Sequence, residues 1–282
     1  MEEKRKTIKP NINITPLSVS TQSAKAVMSL PINLKDLAET IKESGIKKGV
    51  HICGVLYNKI HAGNIRQPKP TKTGQFPNNC SILIKSSMGT GRKINIKVFL
   101  KGSITMTGCL VKEDGISAIK ILEQFLKKKK GLFKSRKDRE NFHIHKFETT
   151  MVNSGYNIGF EVDRQRLYEF LSQETGLNVS YAPTTYAGVK ISFYYNTTKK
   201  KQDGICNCPG CPCTGSRSGA GKGTGDKIGQ CKRVTVAIFK SGEIINTGGR
   251  SMKQALVAYE YINTIIKKNA SKFIKIHIED CI

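Results

Sequence analysis

Residues 97–128, KVFLKGSITMTGCLVKEDGISAIKILEQFLKK, and residues 237–268, AIFKSGEIINTGGRSMKQALVAYEYINTIIKK, align without a gap at an offset of 140. Eight pairs are identical: Phe99/Phe239, Gly102/Gly242, Ile104/Ile244, Thr107/Thr247, Gly108/Gly248, Ala118/Ala258, Lys127/Lys267 and Lys128/Lys268. Each copy reads as strand, tight glycine turn, strand and amphipathic helix. A spacing this long is not a solenoid period. It implies a duplicated half-domain, and hence a pseudo-two-fold molecule whose ligand has approximate two-fold symmetry.

Outward from the first copy, 17–30 reads as a strand, followed by a helix with Leu34, Leu37, Ala38 and Ile41 at helical spacing and Gly45 and Gly49 at its end. Residues 50–57 read as a strand and 58–79 as a loop rich in Asn, Gly, Pro and Lys. Strands 80–86 and 94–100 flank a short loop, and the helix runs from about 112 to 128. The second half replays this order: strand 146–158, helix 162–172, strands 177–181 and 187–195, hairpin 232–247 and helix 251–268. Both halves are interrupted at the same place, briefly at 87–93 and at length at 196–231. The expected organisation is therefore a flexible tail 1–16, repeat 1 over 17–128, a basic connector 129–144, repeat 2 over 145–268 and a tail 269–282, where FIKIHI suggests an extra strand.

Side chains alternate across a strand, so parity sorts the faces of each hairpin. Ile94, Ile96, Val98, Ile104 and Met106 share one face; Asn95, Lys97, Phe99, Thr105 and Thr107 share the other. In the second hairpin Val234, Val236, Ile238 and Ile244 lie opposite Thr235, Ala237, Phe239, Ile245 and Thr247. The following helices offer Ile116, Ile119, Leu122 and Leu126, and Leu256, Tyr259, Ile262 and Ile266, to the aliphatic faces. One face is thus covered by helices and the other is left open. The open face carries Thr, Ala, Ile and one Phe beside each turn, unlike an ordinary charged solvated sheet.

The chain of 282 residues has 47 Lys+Arg against 21 Asp+Glu, a net charge of +26, which favours a polyanionic partner. No run of 18 apolar residues predicts a membrane span, so no membrane partner is expected. MEEKRKTIKP at the start is not the apolar stretch of a signal peptide. The expectation is an intracellular protein whose nine cysteines are not a disulfide framework.

IFKSGEIINTGGR, VFLKGSITMTG, YAPTTYAG before VKISF, and INLKDLAETI together resemble the TATA-box-binding protein family. The resemblance covers about 17–128 and 145–268 and marks a divergent member, of the kind a large DNA virus encodes. It implies an α+β fold: a pseudo-two-fold saddle of two repeats, a curved antiparallel sheet with helices on the convex face. It further implies a general transcription initiation factor that lies on a widened minor groove and bends AT-rich promoter DNA with aromatic wedges. On this resemblance Phe99 and Phe239 take two wedge positions, Tyr186 the third and Phe76 the fourth. Thr107 and Thr247 match paired threonines near the pseudo-dyad; Thr105, Ile245, Lys97 and Ala237 match groove-facing positions. The family's partners imply a transcription factor IIB-like protein and RNA polymerase.

The chain departs from that pattern. Where the family has an asparagine in the first strand of each half, this chain has Thr21 or Gln22, and Thr150 or Met151, so strict A·T preference does not follow. Lys97 replaces an apolar groove contact, and Ala182 and Thr184 replace the glutamates that dock transcription factor IIB.

Cys206-x-Cys208-x-x-Cys211-x-Cys213, with Cys231 beyond, has enough thiols in eight residues to hold a structural zinc. Its interleaved spacing and two prolines fit a mobile thiol-rich loop as well. Glycines in 215–225 fail the phosphate-loop pattern and read as a linker. His143 and His145 read as a satisfied or exposed pair, and Lys127–Lys130, Lys134, Arg136 and Lys137 as a solvated run that grips phosphates beside a DNA-binding sheet. No nucleophile–base set or acid pair is assembled by the sequence, so no catalytic residue and no enzyme activity is expected. The alternative reading is an RNA or single-stranded nucleic-acid binder stacking bases on Phe99, Tyr186 and Phe239, without promoter function. A DNA-repair glycosylase ranks last, because two repeats leave no room for a catalytic helical domain.

Overall fold

A computed structural model describes residues 12–46, 51–67, 78–210, 212–214 and 220–275. It divides into two compact units, Thr21–Thr150 and Met1–Ser20 with Met151–Ile282. Both are α+β, and every strand pair within them is antiparallel.

The first unit opens in strand β1 (Ser18–Met28), whose residues from Thr21 onward belong to it. Helix α1 (Leu34–Glu43) starts where the Asn33 side chain accepts from the Lys35 and Asp36 N–H groups, and buries Leu34, Leu37, Ala38 and Ile41. Then come β2 (Ile52–Tyr57), β3 (Ile60–Gly63), β4 (Asn79–Lys85), the hairpin β5 (Lys93–Phe99) and β6 (Ser103–Cys109), and helix α2 (Lys112–Lys127). The order across this sheet is β3-β2-β4-β5-β6-β1. Strand β3 falls inside the expected loop 58–79. It is four residues long and folds back on β2 through Asn58-Lys59, with Asn58 at φ +50°. Four residues carry too few alternations to read as a strand, and an Asn in left-handed conformation is the device of a two-residue hairpin turn.

The connector contains a short helix α3 (Arg136–Asn141), started by the Ser135 hydroxyl accepting from Asp138 N–H at 3.0 Å. Strand β7 (Ile144–Asn157) leads from the first unit into the second. There follow α4 (Arg164–Glu174), capped by Asp163, then β8 (Asn178–Ser180), β9 (Val189–Tyr195), the hairpin β10 (Lys232–Ile238) and β11 (Glu243–Gly249), and α5 (Met252–Asn269). The order in this unit is β7-β11-β10-β9-β8. Of the expected tail 1–16, residues 12–16 are held: Thr15 bonds Asn157 through both backbone and hydroxyl, and Ile14 packs with Leu17 against the second core. Of the expected strand FIKIHI, Phe273 is fully buried and Ile274 forms a bridge with Val162; residues 276–278 lie outside the described ones. No helix among the described residues is long and apolar enough to cross a membrane.

The repeat extends to backbone conformation. Gly102 and Gly242 sit at φ +79° and +80°, and each N–H closes its turn onto the carbonyl of Phe99 or Phe239. Space around the two differs. A methyl group at Gly102 would meet nothing nearer than 3.4 Å, whereas at Gly242 it would lie 2.4 Å from the Phe160 carbonyl oxygen. Gly102→Ala is expected to cost only the left-handed penalty, about 1–2 kcal/mol. Gly242→Ala adds a backbone clash and is expected to cost at least about 3 kcal/mol. Urea unfolding of the two variants checks the ranking.

Of the expected stripes Ile119, Leu122, Leu126, Ile262 and Ile266 are buried, whereas Ile116 and Tyr259 are half-buried and Leu256 is exposed. Helix α5 puts Ala255, Ala258, Ile262 and Ile266 inward, and Leu256 is 43% exposed; α2 buries Gly115, Ala118, Ile119, Leu122 and Leu126, leaving Ile116 half-buried. The helices approach their sheets on the sides bearing small residues, which permit closer packing than a ridge of large ones. Cys80 and Cys109 lie in the first core, where burial pushes their thiols up to about 12 and about 11, the Asp114 charge adding to the second. These are inert packing cysteines.

The position three residues into each of these helices also repeats. Asp114 and Gln254 stand at the same offset of 140, and each reaches back to a backbone N–H ahead of its helix: Leu110 at 2.9 Å and Arg250 at 2.7 Å. Each also ties down the interruption of its own repeat. Asp114 accepts from Ser86 and Thr90, and Gln254 donates to the Thr224 carbonyl.

Candidate nucleic-acid interface

Hairpin register builds the open face of each unit. In the first, cross-strand rows run Ser81–Lys97–Thr105–Lys25 and Leu83–Asn95–Thr107–Ser23. Lys97, Thr105 and Thr107 are exposed, and Phe99, opposite Asn79, is half-buried at the turn end. The other face of the same strands, Ile94, Ile96, Val98, Ile104 and Met106, is fully buried. In the second unit the rows run Ser180–Lys190–Ala237–Ile245–Gly155 and Asn178–Ser192–Thr235–Thr247. Ile245 is 39% exposed, Thr247 and Phe239 are half-buried, and Val234, Val236, Ile238 and Ile244 fill the core side. Ala237 is only 4% exposed although it faces outward; its methyl is short between Lys190 and Ile245.

Tyr186 and Phe239 come together, ring centroids 5.7 Å apart and inclined by 54°, with Lys190 Nζ 3.8 Å over the Tyr186 ring. The pair depends on Gly188, where a methyl would meet Tyr186 at 3.0 Å and Phe239 at 3.2 Å. Tyr186 is set by a tight turn in which its N–H and that of Thr185 both reach the Ala182 carbonyl. The result is two aromatic edges and a cation at the turn end of an open sheet face, a surface suited to stacking and to anions. Phe76 lies outside the described residues.

Two side chains beside the threonines were not singled out from the sequence. Asn95 pairs with Thr107, and Asn153 on β7 faces the register shift around Thr247. The Oδ1 atom of each is buried without a hydrogen-bond partner. Parity alone placed Asn95 on this face; Asn153 was hidden because the bulge between Asn246 and Gly249 breaks simple counting. The first unit thus pairs a threonine with an amide, and in the second an amide lies on the strand next to Thr247. On the first face Lys25 is paired with Glu148 at 2.9 Å, both about half-exposed, so part of that cation is offset locally.

Outside the sheet, His143 and His145 stack at 5.0 Å, and His143 Nδ1 contacts the Asn141 carbonyl at 2.9 Å. Lys127 and Arg136 of the basic run pair with Glu123 and Glu140 one turn away. Among the candidate zinc ligands, Cys206, Cys208 and Cys213 come together; Cys211 lies outside the described residues, and Cys231 completes a group of four.

Compared with known proteins, the chain matches no protein-family model. A curated protein of Acanthamoeba polyphaga mimivirus described as TATA-box-binding protein-like is 28% identical over 215 residues, which is 74% of this chain. The chain is similar to this TATA-box-binding-protein-like protein, at a divergent level of identity. It spans about half the length, 52%, of that relative. Among solved structures, the TBP of Methanococcus jannaschii aligns over 90% of this chain and 99% of its own, with 17% identity and a TM-score of 0.48. The resemblance to TATA-box-binding proteins drawn from IFKSGEIINTGGR and its partner hairpin therefore agrees with an independent relative.

Proposed function

We propose that this chain is a non-catalytic DNA-binding protein that lies in the minor groove of AT-rich promoter DNA, bends it and serves transcription initiation. The observation that carries this reading is the repeated open face. In both units a Thr (Thr107, Thr247) and a turn-proximal Phe (Phe99, Phe239) occupy equivalent places on the face opposite a helix-covered core, and an amide lies on the same face of each, Asn95 on β5 and Asn153 on β7. Threonine and amide groups are small enough to approach the groove floor, where A·T pairs show only acceptors that an amide N–H matches. Asn95 on β5 and Asn153 on β7, the first strand of the second half, would supply that donor. Phe99 at one turn, and Phe239 with Tyr186 at the other, would enter base steps as wedges, with Phe76 as the fourth. Thr105, Thr107, Thr247, Ile245, Lys97 and Ala237 would line the groove between them. Recruitment of a transcription factor IIB-like protein and RNA polymerase belongs to the same reading. Ala182 and Thr184 are both exposed on the loop before Tyr186, so that contact would not use carboxylates there.

The test is titration of the full chain into end-labelled AT-rich and G·C-rich duplexes of equal length, with energy transfer between the ends read at several salt concentrations. Preference for the AT-rich duplex, shortening of its end-to-end distance, and affinity that falls about 0.9 log units per phosphate contact for each log unit of salt are expected. A chain that prefers single-stranded DNA or RNA over both duplexes at fixed salt would replace this reading with the stacking one.

A further inference from the structure

The described residues of the insertion 196–231 make hydrogen bonds to the ends of β9 and β10 and across the segment itself. Asn196 is fully buried, its amide donating to the Lys227 carbonyl at 2.8 Å while its carbonyl accepts from Thr198. Tyr194 bonds Gly204, Thr197 bonds Gly225 and Arg233 bonds Gly221, all through backbone. Lys199 pairs with Asp203 at 2.6 Å, with little of either side chain exposed. At the centre of this segment lie four thiols.

We propose that Cys206, Cys208, Cys213 and Cys231 form a structural zinc site that staples the insertion to the start of β10. The Sγ atoms of all four lie within 4.8 Å of one another. Cys208–Cys231 is 3.6 Å, Cys206–Cys231 3.8 Å and Cys208–Cys213 4.0 Å. Four sulfurs held at about 2.3 Å from one zinc in a tetrahedron are spaced about 3.8 Å along each edge. The observed separations bracket that value. They are far from the roughly 2.05 Å of a disulfide. An all-sulfur tetrahedral set selects a soft-to-borderline ion, zinc first, and four protein ligands leave no open position for catalysis.

Hydrogen-bond donors are aimed at the sulfurs. Gly229 N–H points at Cys208 Sγ from 3.1 Å, Cys231 N–H at Cys213 Sγ from 3.4 Å, and the Asn196 amide at Cys231 Sγ from 3.5 Å. Donors aimed at sulfur spread the negative charge of a metal-bound thiolate and fix its direction. Three of the four cysteines are buried and Cys208 is half-buried, with the Tyr194 ring in the same cluster. The arrangement also changes the ligand set. The tight motif points to Cys211, but the fourth sulfur comes from Cys231, next to the first residue of β10. A metal there would close the long loop on the sheet itself rather than only crimping eight residues. This inference does not depend on the nucleic-acid reading.

The experiment uses the full chain, purified under reductant from zinc-supplemented growth, with metal measured by mass spectrometry and cobalt substitution read by absorbance. About one zinc per chain is expected. Cobalt should give the intense thiolate charge-transfer band and d–d bands of a four-sulfur tetrahedral site. C231S is expected to weaken zinc binding by at least about 100-fold, since loss of outer partners alone costs 10–100-fold. C211S is expected to retain the metal. Absence of stoichiometric zinc together with absence of the cobalt bands in the wild-type chain would overturn the proposal, and that measurement does not require any variant to fold. Metal retained by C231S but lost from C211S would overturn the ligand assignment. Mapping of a disulfide among these cysteines in chain trapped directly from cells would overturn it equally.

Discussion

A chain carrying Phe99→Ala and Phe239→Ala together is expected to stop bending duplex DNA while keeping most of its salt-sensitive, sequence-independent binding. The two terms have different physical sources. Weak binding to any duplex comes from neutralising phosphates, and the net charge of +26 resides elsewhere on the chain. Bending needs a rigid apolar wedge that replaces part of the stacking it disrupts. A base–aromatic contact is worth about 1–3 kcal/mol, so removing two should weaken a bent complex by at least about 30-fold. Both rings are half-buried at turn ends, so truncation should leave each unit folded. The single F239A variant should do more damage than F99A, because it also removes the ring against which Tyr186 rests. End-to-end energy transfer on an AT-rich duplex separates the outcomes. Bending that survives in the double variant would show that these rings are not wedges.

The repeat and its two faces were legible in the sequence because they rest on period-two alternation over seven-residue strands and on an alignment without gaps. Ile94, Ile96 and Val98 needed only parity to be placed inside, and Phe99, Thr105 and Thr107 only parity to be placed outside. What escaped was set by contacts that sequence spacing does not encode. Strand β3 exists because Asn58 accepts a left-handed turn and β2 offers an edge, not because IHAG looks like a strand. Cys231 joins Cys206, Cys208 and Cys213 from 18 residues beyond Cys213, a separation that a compact motif does not single out. Leu256 was placed inward on size, whereas Ala255 and Ala258 decide how near α5 comes to its sheet.

Asp114 gives the largest expected effect on stability. It is fully buried, and its carboxylate accepts from Ser86 at 2.6 Å, Thr90 at 2.7 Å, Leu110 N–H at 2.9 Å and Val111 N–H at 3.2 Å. Burial alone would push this carboxyl up. The four hydrogen bonds favour the charged form more strongly and hold it below the usual carboxylate range. Asp114→Ala leaves the buried Ser86 hydroxyl and the part-buried Thr90 hydroxyl and Leu110 and Val111 N–H groups without their acceptor, and is expected to destabilise the Thr21–Thr150 unit by about 3 kcal/mol. Asp114→Asn keeps the shape but turns an amide N–H toward donors, and should cost about 2 kcal/mol. The pH dependence follows from the depressed folded-state value. The stabilisation is fully present above the ordinary carboxylate pKa of about 4, and is lost as pH falls through the lower folded value. Below about pH 4 the wild-type unit should therefore loosen, and in Asp114→Asn that acid-dependent contribution should be missing. Gln254 holds the equivalent place in the other repeat without a titratable group, so its unit has no matching contribution from this position. Hydrogen exchange measured peptide by peptide between pH 5 and pH 3, with rates corrected for intrinsic pH dependence, reads the two units apart. Equal acid sensitivity of α2 in wild type and Asp114→Asn would mean that the carboxylate is not what pins this helix to its loop.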